Sequence, residues 1–223
     1  MKFENTEVLN FEGAIRGVRN PLESWNKSDS YLDSEFDSCG EGCEKFVIGE
    51  NDLHLMQNLL RAGTSDSKFM RQIFVCVDIT APLYFFKEMD QYKVGTVSNS
   101  TSTMHKLAST PITMDCFEMG DFTKEVLMGD SSTYITDVWE DIINYLELLR
   151  FLYNKTKDKR YWKELIRLLP ESWLQKRTIT MNYENIRNMY FQRRNHKLTE
   201  WSVDFINWVK SLPYAEELIM LEK

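Results

Sequence analysis

Residues 90–106, DQYKVGTVSNSTSTMHK, place six Ser and Thr hydroxyls among basic residues, directly after an aromatic run. Hydroxyls and turn amides are good ligands for phosphate groups and for the polar edges of heterocycles. A helix before them and basic residues beside them would suit an anionic nucleotide. The alternative is an edge strand whose hydroxyls face water, because Thr is common in strands. The residue types therefore leave two interpretations, a nucleotide-binding surface or a solvated strand.

The segment before this patch predicts a strand followed by a helix. Ile73–Val77, IFVCV, is β-branched and aromatic, which indicates a buried strand. Asp78 or Thr80 could then cap a helix that has Pro82 in its first turn. We expect this helix to end near Gly95.

The remaining elements are mostly helical. An earlier amphipathic helix, NDLHLMQNLLRAG, has Asn51 or Asp52 as its cap and Gly63 as its stop. Apolar residues at helical spacing, with Pro170 and Pro213 as stops, predict helices over Tyr134–Thr156, Tyr161–Leu169, Tyr183–Arg194 and Leu198–Ser211. Because only one or two strands are clear, the sequence predicts an α+β fold, which we take as a single domain over residues 1–223.

Composition limits the classes of function. The chain has 223 residues, of which 43% are hydrophobic and 13% aromatic, and this suffices for a substantial core. A formal net charge of −7 argues against a general DNA or RNA binder, so we expect no nucleic acid polymer as a partner. No apolar run approaches the ~20 residues that span a bilayer. The opening MKFENTEVLNFEG has no apolar signal region, so the expectation is a cytoplasmic protein without a membrane partner.

The four cysteines do not form a disulfide framework. Cys39 and Cys43 in SCGEGC could bind zinc, but a closed site needs four ligands and only His54 offers a nearby third. The favoured interpretation is a loop, because residues 23–45 are rich in Ser, Asp, Glu and Gly and predict a flexible surface excursion.

The order of strand, Ala81-Pro82, aromatic helix, basic tripeptide and hydroxyls resembles the flavin-dependent thymidylate synthases. Their motif reads R-H-R-x-x-S-x-N-E-x-S-x-R-Y. On this motif Gln91-Tyr92-Lys93 replaces Arg-His-Arg, Thr96 and Thr101 take the two Ser positions, Ser98-Asn99 replaces Asn-Glu, and Thr103-Met104 replaces Arg-Tyr. Upstream, Arg71 stands where the family usually has a His, and Lys87 stands where it has an Arg.

The C-terminal segment TITMNYENIRNMYFQRRNHKLTEW supports the same resemblance. It is similar to the family's Thr-rich strand, its helix of the form N-x-R-x-L-x-x-F-x-x-x-R, and the AQWE-like helix that follows. Asn182 matches the first Asn, Glu184 replaces the next Arg, Asn188 lies on the helix, and Arg193 matches the late Arg. The resemblance covers about residues 65–106 and 168–205, in the family's order.

The resemblance implies helices packed around a small, mainly antiparallel sheet, and a homotetramer that binds FAD and dUMP. In the family, methylenetetrahydrofolate supplies a methylene group, NADPH reduces the flavin, and the product is dTMP. The implied catalytic residue is Arg193, whose planar fork would bind the pyrimidine edge, although the adjacent Arg194 could point inward instead. The implied nucleotide-binding residues are Lys87, Asn99, Ser100, Thr101, Ser102, Thr103 and Arg193. The implied cofactor-binding residues are Arg71, Gln91, Tyr92, Lys93, Thr96, Asn182 and Asn188.

Several replacements bear on activity. The Arg and His lost at Gln91 and Tyr92 would contact folate and flavin in the family. The Glu and Arg lost at Asn99 and Thr103 would contact the nucleotide. Glu184 places a negative charge where the family has a positive one. The alternatives are therefore an active enzyme with the family reaction or a related one-carbon transfer, and a catalytically inactive scaffold that binds a nucleotide or a protein. A third is a structural α+β protein whose hydroxyl patch is an exposed strand. Whichever of these holds, Arg71 could simply be a strand-edge cation that pairs with Asp78.

Overall fold

The computed structural model describes residues 1–36, 42–119 and 134–222. The strands are β1 (Lys2–Leu9), β2 (Tyr31–Phe36), β3 (Gly42–Val47), β4 (Phe74–Pro82), β5 (Val97–Ser100) and β6 (Leu174–Asn182). The helices are α1 (Phe11–Arg19), α2 (Glu50–Ala62), α3 (Leu83–Met89), α4 (Thr103–Lys106), α5 (Ile135–Thr156), α6 (Lys159–Arg167), α7 (Tyr183–Arg193) and α8 (Ile206–Lys210). Two π-helical turns, Glu200–Phe205 and Ala215–Ile219, flank α8.

The strands form two sheets. Four of them make a sheet in the order β1-β4-β6-β5, so β5, within the polar patch, lies at an edge. The other two form an antiparallel hairpin in which Tyr31 lies opposite Val47 and Phe36 opposite Gly42. Helices accompany both sheets, and the predicted α+β class is confirmed.

Residues 23–45, which composition predicts to be a flexible surface excursion, include β2 and the start of β3. The structure pairs β2 with β3 in this stretch. A polar sequence can form such a pair because the hydrogen bonds between two strands join backbone groups. Cys39 lies outside the described residues, so the zinc alternative remains a hypothesis. Within the described residues, the structure brings together no group of three or more His, Cys, Asp or Glu side chains that could hold a metal ion.

Strand β4 is longer than predicted. The sequence indicated a strand over Ile73–Val77 and a helix cap at Asp78 or Thr80, whereas the structure continues the strand to Pro82. The carboxylate of Asp78 accepts hydrogen bonds from Asn5 (2.9 Å) and Thr178 (2.6 Å). A polar residue remains inside the strand because its side chain is satisfied by other parts of the chain.

Helix α3 is shorter than predicted. It begins at Leu83, with Pro82 as its N-cap instead of in its first turn, and it ends at Met89 and not near Gly95. The amides of Leu83 and Tyr84 donate to the carbonyls of Trp173 (3.1 Å) and Glu171 (3.2 Å). These bonds satisfy N–H groups that every helix start leaves unpaired.

The other helix boundaries follow the sequence closely. Helices α5 and α7 lie within one residue of their predicted bounds, and Gly63 ends α2 as expected. Helix α6 begins two residues earlier than predicted, at Lys159, and ends at Arg167. The predicted helix over Leu198–Ser211 is instead a π-helical turn followed by α8. No helix that the structure describes is both long and apolar enough to cross a membrane.

Helix α2 starts at Glu50, so Asp52 lies inside its first turn and is no cap. Asp52 is fully buried and accepts from the Arg19 guanidinium (2.7 Å). The hydroxyls of Ser28 and Ser30 also donate to it, each at 2.6 Å. Burial alone would raise the pKa of Asp52, but the hydrogen bonds from the two serines and the charged Arg19 together hold it below the ordinary value.

Close approaches between residues divide the chain into two compact units. Unit 1 consists of Met1–Lys2, Ile79–Gln91 and Asn99–Arg177, and unit 2 of Phe3–Asp78, Tyr92–Ser98 and Thr178–Lys223. Unit 1 has a core of apolar residues from α5, α6 and the segment before α5, namely Leu107, Ala108, Ile112, Phe117, Leu146, Leu149 and Leu165. In unit 2 the largest fully buried side chains are Trp201, Tyr183, Phe205, Met56, Met70 and Ile73.

Candidate functional site

Helix α7 in unit 2 carries most of the C-terminal residues that the sequence singled out. Its apolar stripe is buried: Ile186 and Met189 have no exposed surface. At its start, the Asn182 side chain accepts from the amide of Asn185 (3.0 Å), and the Asn185 side chain accepts from the amide of Asn182 (3.3 Å). This reciprocal capping box fixes where the helix begins and how it is oriented. Asn182 therefore has a structural role at this position, and Asn188 is exposed on the helix.

Further contacts fasten α7 within unit 2. The buried Tyr183 hydroxyl donates to the carbonyl of Pro213 (2.7 Å), and burial raises the pKa of this phenol. The guanidinium of Arg187 donates to the carbonyls of Leu218 (3.2 Å) and Ile219 (2.7 Å), and burial lowers its pKa. The chain is thus bound to α7 at Pro213 and again at Leu218 and Ile219. These contacts make α7 a rigid support for the side chains near the C-terminal end of the helix.

A turn at residues 93–96 contacts the start of α7. The Asn185 side chain donates to the carbonyl of Val94 (2.7 Å). Gly95 has φ = +75°, and a Cβ atom there would lie 2.8 Å from the side-chain nitrogen (Nδ2) of Asn182. Glycine is therefore required at position 95 by both backbone conformation and space. The hydrogen bond between Asn185 and Val94 joins this turn to α7, 91 residues away in the sequence. Because residues 93–96 form this turn, helix α3 ends before Gly95.

Arg193, Tyr92, Trp201 and Gln192 form a cluster, called here the Arg193 cluster. The Arg193 Nε donates to the Tyr92 hydroxyl at 3.0 Å, and that hydroxyl donates to the Gln192 side-chain oxygen at 2.9 Å. The guanidinium lies over the Trp201 ring, 5.1 Å from its centroid, and 5.6 Å from the centroid of Tyr92. Both are cation–π distances. The Arg193 fork is consequently half-buried and held in one orientation.

The neighbouring Arg194 behaves differently. It is exposed and forms a salt bridge of 2.8 Å with Glu222, whose carboxylate raises the pKa of Arg194. Of the two adjacent arginines, Arg193 is therefore the one that packs into unit 2. The sequence could not separate them, because both lie at the end of the helix within one residue of the apolar stripe.

Thr96 and Lys93, two other predicted cofactor-binding residues, belong to the turn at residues 93–96. The Thr96 hydroxyl is buried and has no hydrogen-bond partner among the described residues. Native structures rarely leave such a group unsatisfied, so an unsatisfied hydroxyl is compatible with a ligand at this point. Lys93 is exposed and enters no ion pair with another described residue. Together they offer a hydroxyl and a cation, a combination that suits phosphate.

Arg71 pairs with Glu184 and not with Asp78, so the predicted Arg71–Asp78 pair is wrong. Its Nε donates to the Glu184 carboxylate at 2.6 Å, and a second guanidinium nitrogen donates to the carbonyl of Thr64 (3.3 Å). Glu184 is the acid that replaces a cation of the resembled motif, and Arg71 is the cation that replaces a His. The two replacements therefore meet and neutralise each other, while about half of the Arg71 side chain remains exposed.

In unit 1, two of the predicted hydroxyl ligands contact the backbone. The Thr101 hydroxyl accepts from the amide of Lys176 (3.3 Å), and its own amide donates to the Lys176 carbonyl (2.9 Å). The Ser102 hydroxyl accepts from the amide of His105 (3.1 Å) and caps α4. Asn99 and Ser100 are exposed, and Thr103 is half-buried in the first turn of α4.

The remaining predicted residues of unit 1 are exposed. Lys87 forms a salt bridge of 2.6 Å with Glu171, and Gln91 lies on the surface after α3. All four side chains of β5 are exposed in the single chain, as the solvated-strand alternative requires.

Arg177 is a residue that sequence reasoning missed. Its guanidinium lies 4.0 Å from the centroid of Phe86, donates to the Asp90 carboxylate at 2.8 Å and donates to the Gln175 side chain at 2.9 Å. The side chain is 15% exposed, so this half of β6 presents an oriented cation in unit 1. The only signal in the sequence was a cation within a strand, which does not by itself indicate a site.

Comparison with known proteins gives a result on the fold. No protein-family model and no curated protein sequence matches the chain. Two solved structures of the flavin-dependent thymidylate synthase ThyX from Helicobacter pylori, both with FAD and dUMP, superpose with a TM-score of 0.66. Each covers 98% of this chain, and this chain covers 98% and 97% of theirs, at 16% sequence identity.

The chain has the fold of a flavin-dependent thymidylate synthase. The fold predicted from the two partial motifs is confirmed, and it includes residues 107–119 and 134–167, where no motif could be matched. Within this thymidylate synthase fold, the residues that the motifs singled out lie in two groups. The Arg193 cluster, Thr96, Lys93 and the Arg71–Glu184 pair belong to unit 2, while Lys87, Gln91 and residues 99–103 belong to unit 1.

Proposed function

We propose that this chain binds a pyrimidine nucleotide and that Arg193 contacts its base. The observation that carries the proposal is the guanidinium of Arg193, which the Tyr92 hydroxyl and the Trp201 ring hold in one orientation. An oriented planar fork loses little conformational freedom when a carbonyl or phosphate binds to it. The solved structures with the same fold contain dUMP, which supports a nucleotide of this class.

The proposal includes FAD as the cofactor, because both solved structures of this fold contain it. The unsatisfied, buried hydroxyl of Thr96 and the exposed cation of Lys93 fit the phosphate groups of such a dinucleotide. Arg71, also in unit 2, is half-exposed and would offer a second cation if its salt bridge with Glu184 opened. Bound FAD would supply the redox chemistry that the side chains of this chain cannot perform.

The proposed reaction is the reductive methylation of dUMP to dTMP, or a related one-carbon transfer, in a homotetramer. It would use methylenetetrahydrofolate and NADPH, as the resemblance implies. In this reaction the chain's own task is to bind and orient. Arg193 would hold the pyrimidine edge and stabilise negative charge on it, and α7 would keep that guanidinium in place.

The second candidate is a catalytically inactive scaffold that still binds a nucleotide. The salt bridge of 2.6 Å between Arg71 and Glu184 favours it, because Glu184 takes up a cation that could otherwise face a phosphate or a cofactor. The replacements at Gln91, Asn99 and Thr103 act in the same direction. Under this alternative the Arg193 cluster binds the nucleotide and no turnover follows.

One set of measurements separates the candidates. Calorimetric titration with dUMP, with deoxyuridine as the matched ligand without phosphate, tests nucleotide binding; the proposal expects dUMP to bind more tightly. An absorption spectrum of the purified protein, before and after addition of FAD, tests the cofactor. Formation of dTMP from dUMP, methylenetetrahydrofolate and NADPH distinguishes the enzyme from the scaffold, and light scattering at micromolar concentration tests the tetramer. Absence of dUMP binding would exclude both candidates.

A further inference from the structure

A cavity of about 290 Å³ lies in unit 1, next to Ser102 and Thr103 but lined by other residues. It is lined by Met104, His105, Ala108, Tyr153, Lys159 and Trp162. Two aromatic side chains and two basic side chains thus share one small space. This combination suits a planar ring that carries negative charge.

Hydrogen bonds to the backbone fix the walls of this cavity. The indole N–H of Trp162 donates to the carbonyl of Met104 (3.2 Å), and the Asn154 side chain donates to the carbonyl of Ala108 (2.7 Å). Ala108 belongs to the core of unit 1, and Tyr153 and Trp162 pack against that core. The indole N–H of Trp162 is already used in this hydrogen bond, so what Trp162 can offer a ligand in the cavity is the face of its ring.

The cavity opens within a basic surface. Residues 150–167 contain seven Lys and Arg residues and only two acids, in a chain whose net charge is −7. The three arginines of this stretch are paired with acids: Arg160 with Asp158 at 2.6 Å, Arg167 with Glu164 at 3.1 Å, and Arg150 with Glu147, just before the stretch, at 2.7 Å. The excess positive charge therefore comes from lysines. The net charge of the chain therefore conceals a local surface of the opposite sign.

Three lysines of this surface lie around the cavity and are exposed. Lys159 lines it, and Lys163 lies four residues later on α6, on the same face of the helix. The Lys157 amine is 5.7 Å from the centroid of Tyr153. None of the three forms an ion pair with a residue that the structure describes. Lysines four residues apart repel each other slightly in a helix, and an anion bound between them would relieve this repulsion.

We propose that this surface, named here the α6 basic pocket, binds a nucleobase together with its phosphate. The base stacks on Trp162 and Tyr153, and Lys159 and Lys163 neutralise the phosphate. Stacking of bases on aromatic rings beside a basic groove is the general mode by which proteins hold single-stranded nucleic acids. A free nucleotide and a single strand offer the same chemistry, and the experiment distinguishes them. The pocket residues belong to unit 1 and include none of the unit 2 side chains on which the proposed function at Arg193 rests.

The test measures the fluorescence anisotropy of a labelled oligothymidylate of about eight nucleotides, a length typical of one such site. Trp162→Ala should weaken binding roughly tenfold or more, while Trp162→Phe, which keeps a stacking ring, should retain most of it. Lys159→Gln combined with Lys163→Gln should reduce the slope of log affinity against log salt by about 1.4. The matched controls are Trp25→Ala, at an exposed Trp in unit 2, and Lys197→Gln, at an exposed Lys there; both should bind normally.

Competition identifies the source of the ligand. If dTMP displaces the probe at concentrations near those of unlabelled oligonucleotide, the pocket binds free nucleotides; if only the oligonucleotide does so, it binds a strand. Either result supports the pocket, and binding should persist in Arg193→Ala. The proposal is overturned if neither dTMP nor the probe binds, or if Trp162→Ala binds as well as the wild type. Displacement by polyglutamate as effective as by oligonucleotide would also overturn it, since charge alone would then account for binding.

Discussion

The Arg193 cluster yields a prediction with two separable readouts, stability and affinity. Arg193→Ala removes one hydrogen bond to Tyr92 and two cation–π contacts. A charged hydrogen bond contributes about 1.5 kcal/mol at the low end, and a cation–π contact at a partly exposed site about 0.5 kcal/mol. Because the three interactions share one side chain, we expect a loss of about 2 kcal/mol in the free energy of unfolding. For a chain of this length that lowers the melting temperature by about 4–8 °C.

The same substitution should weaken dUMP binding by about 1–3 kcal/mol, the range for losing a charged hydrogen bond. Arg193→Lys should keep part of the stability, because an ammonium can still lie over Trp201. It should restore affinity poorly, because a point charge cannot reproduce a planar fork. Calorimetric titration and thermal melting of the wild type and both variants give the two quantities side by side.

Arg194→Ala is the matched control, since it removes an adjacent guanidinium from the same helix end. Its salt bridge with Glu222 is largely exposed, so we expect less than about 1 kcal/mol of destabilisation and unchanged affinity. Equal dUMP affinity in Arg193→Ala and the wild type would refute the assignment of Arg193 to the nucleotide. A melting temperature unaltered by Arg193→Ala would refute the energetic reasoning about the cluster.

Three further substitutions test other features. Thr96→Val removes an unsatisfied buried hydroxyl, so it should stabilise the ligand-free protein by about 1 kcal/mol and weaken FAD or dUMP binding. Glu184→Gln releases Arg71, and it should tighten binding of a phosphate-bearing ligand several-fold at a stability cost below about 1 kcal/mol, because the pair is partly exposed. Asp52→Asn breaks a buried ion pair and should lower the free energy of unfolding by about 3–5 kcal/mol in urea titration. Because folding lowers the pKa of Asp52, its carboxylate stabilises the folded state at pH values above its ordinary pKa of 3.8. This contribution is lost as the pH falls through the folded-state pKa. Asp52→Asn should therefore lose less stability than the wild type over that acid range.

Each of these has a contrary outcome that would count against its premise. A destabilised Thr96→Val would mean that the hydroxyl is satisfied in the folded protein. A Glu184→Gln variant that binds dUMP and FAD as the wild type does would show that Arg71 does not face the ligand. An acid transition of Asp52→Asn identical to that of the wild type would mean that Asp52 does not titrate differently in the folded and unfolded states.

Local patterns in the sequence determined most of the helices. The apolar spacing of residues 134–156 predicted α5, and that of residues 183–194 predicted α7. Gly63 ended α2 as expected, since a helix stop depends on residues within one or two positions of it. The order of the two partial motifs also predicted the thymidylate synthase fold, which the solved structures confirm.

Tertiary structure decided which polar side chains have partners, and thereby the limits of several elements. Asp78 lies inside β4 because Thr178, 100 residues away, donates to it, and α3 ends early because Asn185 binds the turn at Val94, 91 residues away. Helix and strand periodicity extends over a few residues, so it contains no record of such contacts.

The same limit applies to the candidate site. The sequence named Arg193 and Arg71, but only the fold placed Arg193 on Tyr92, 101 residues away, and Arg71 against Glu184, 113 residues away. The net charge of −7, a sum over the whole chain, likewise gave no indication of the exposed lysines on α6. A side chain's charge and hydrogen-bonding capacity are properties of its type, whereas burial and partners come from distant segments, and these decide what that capacity can do.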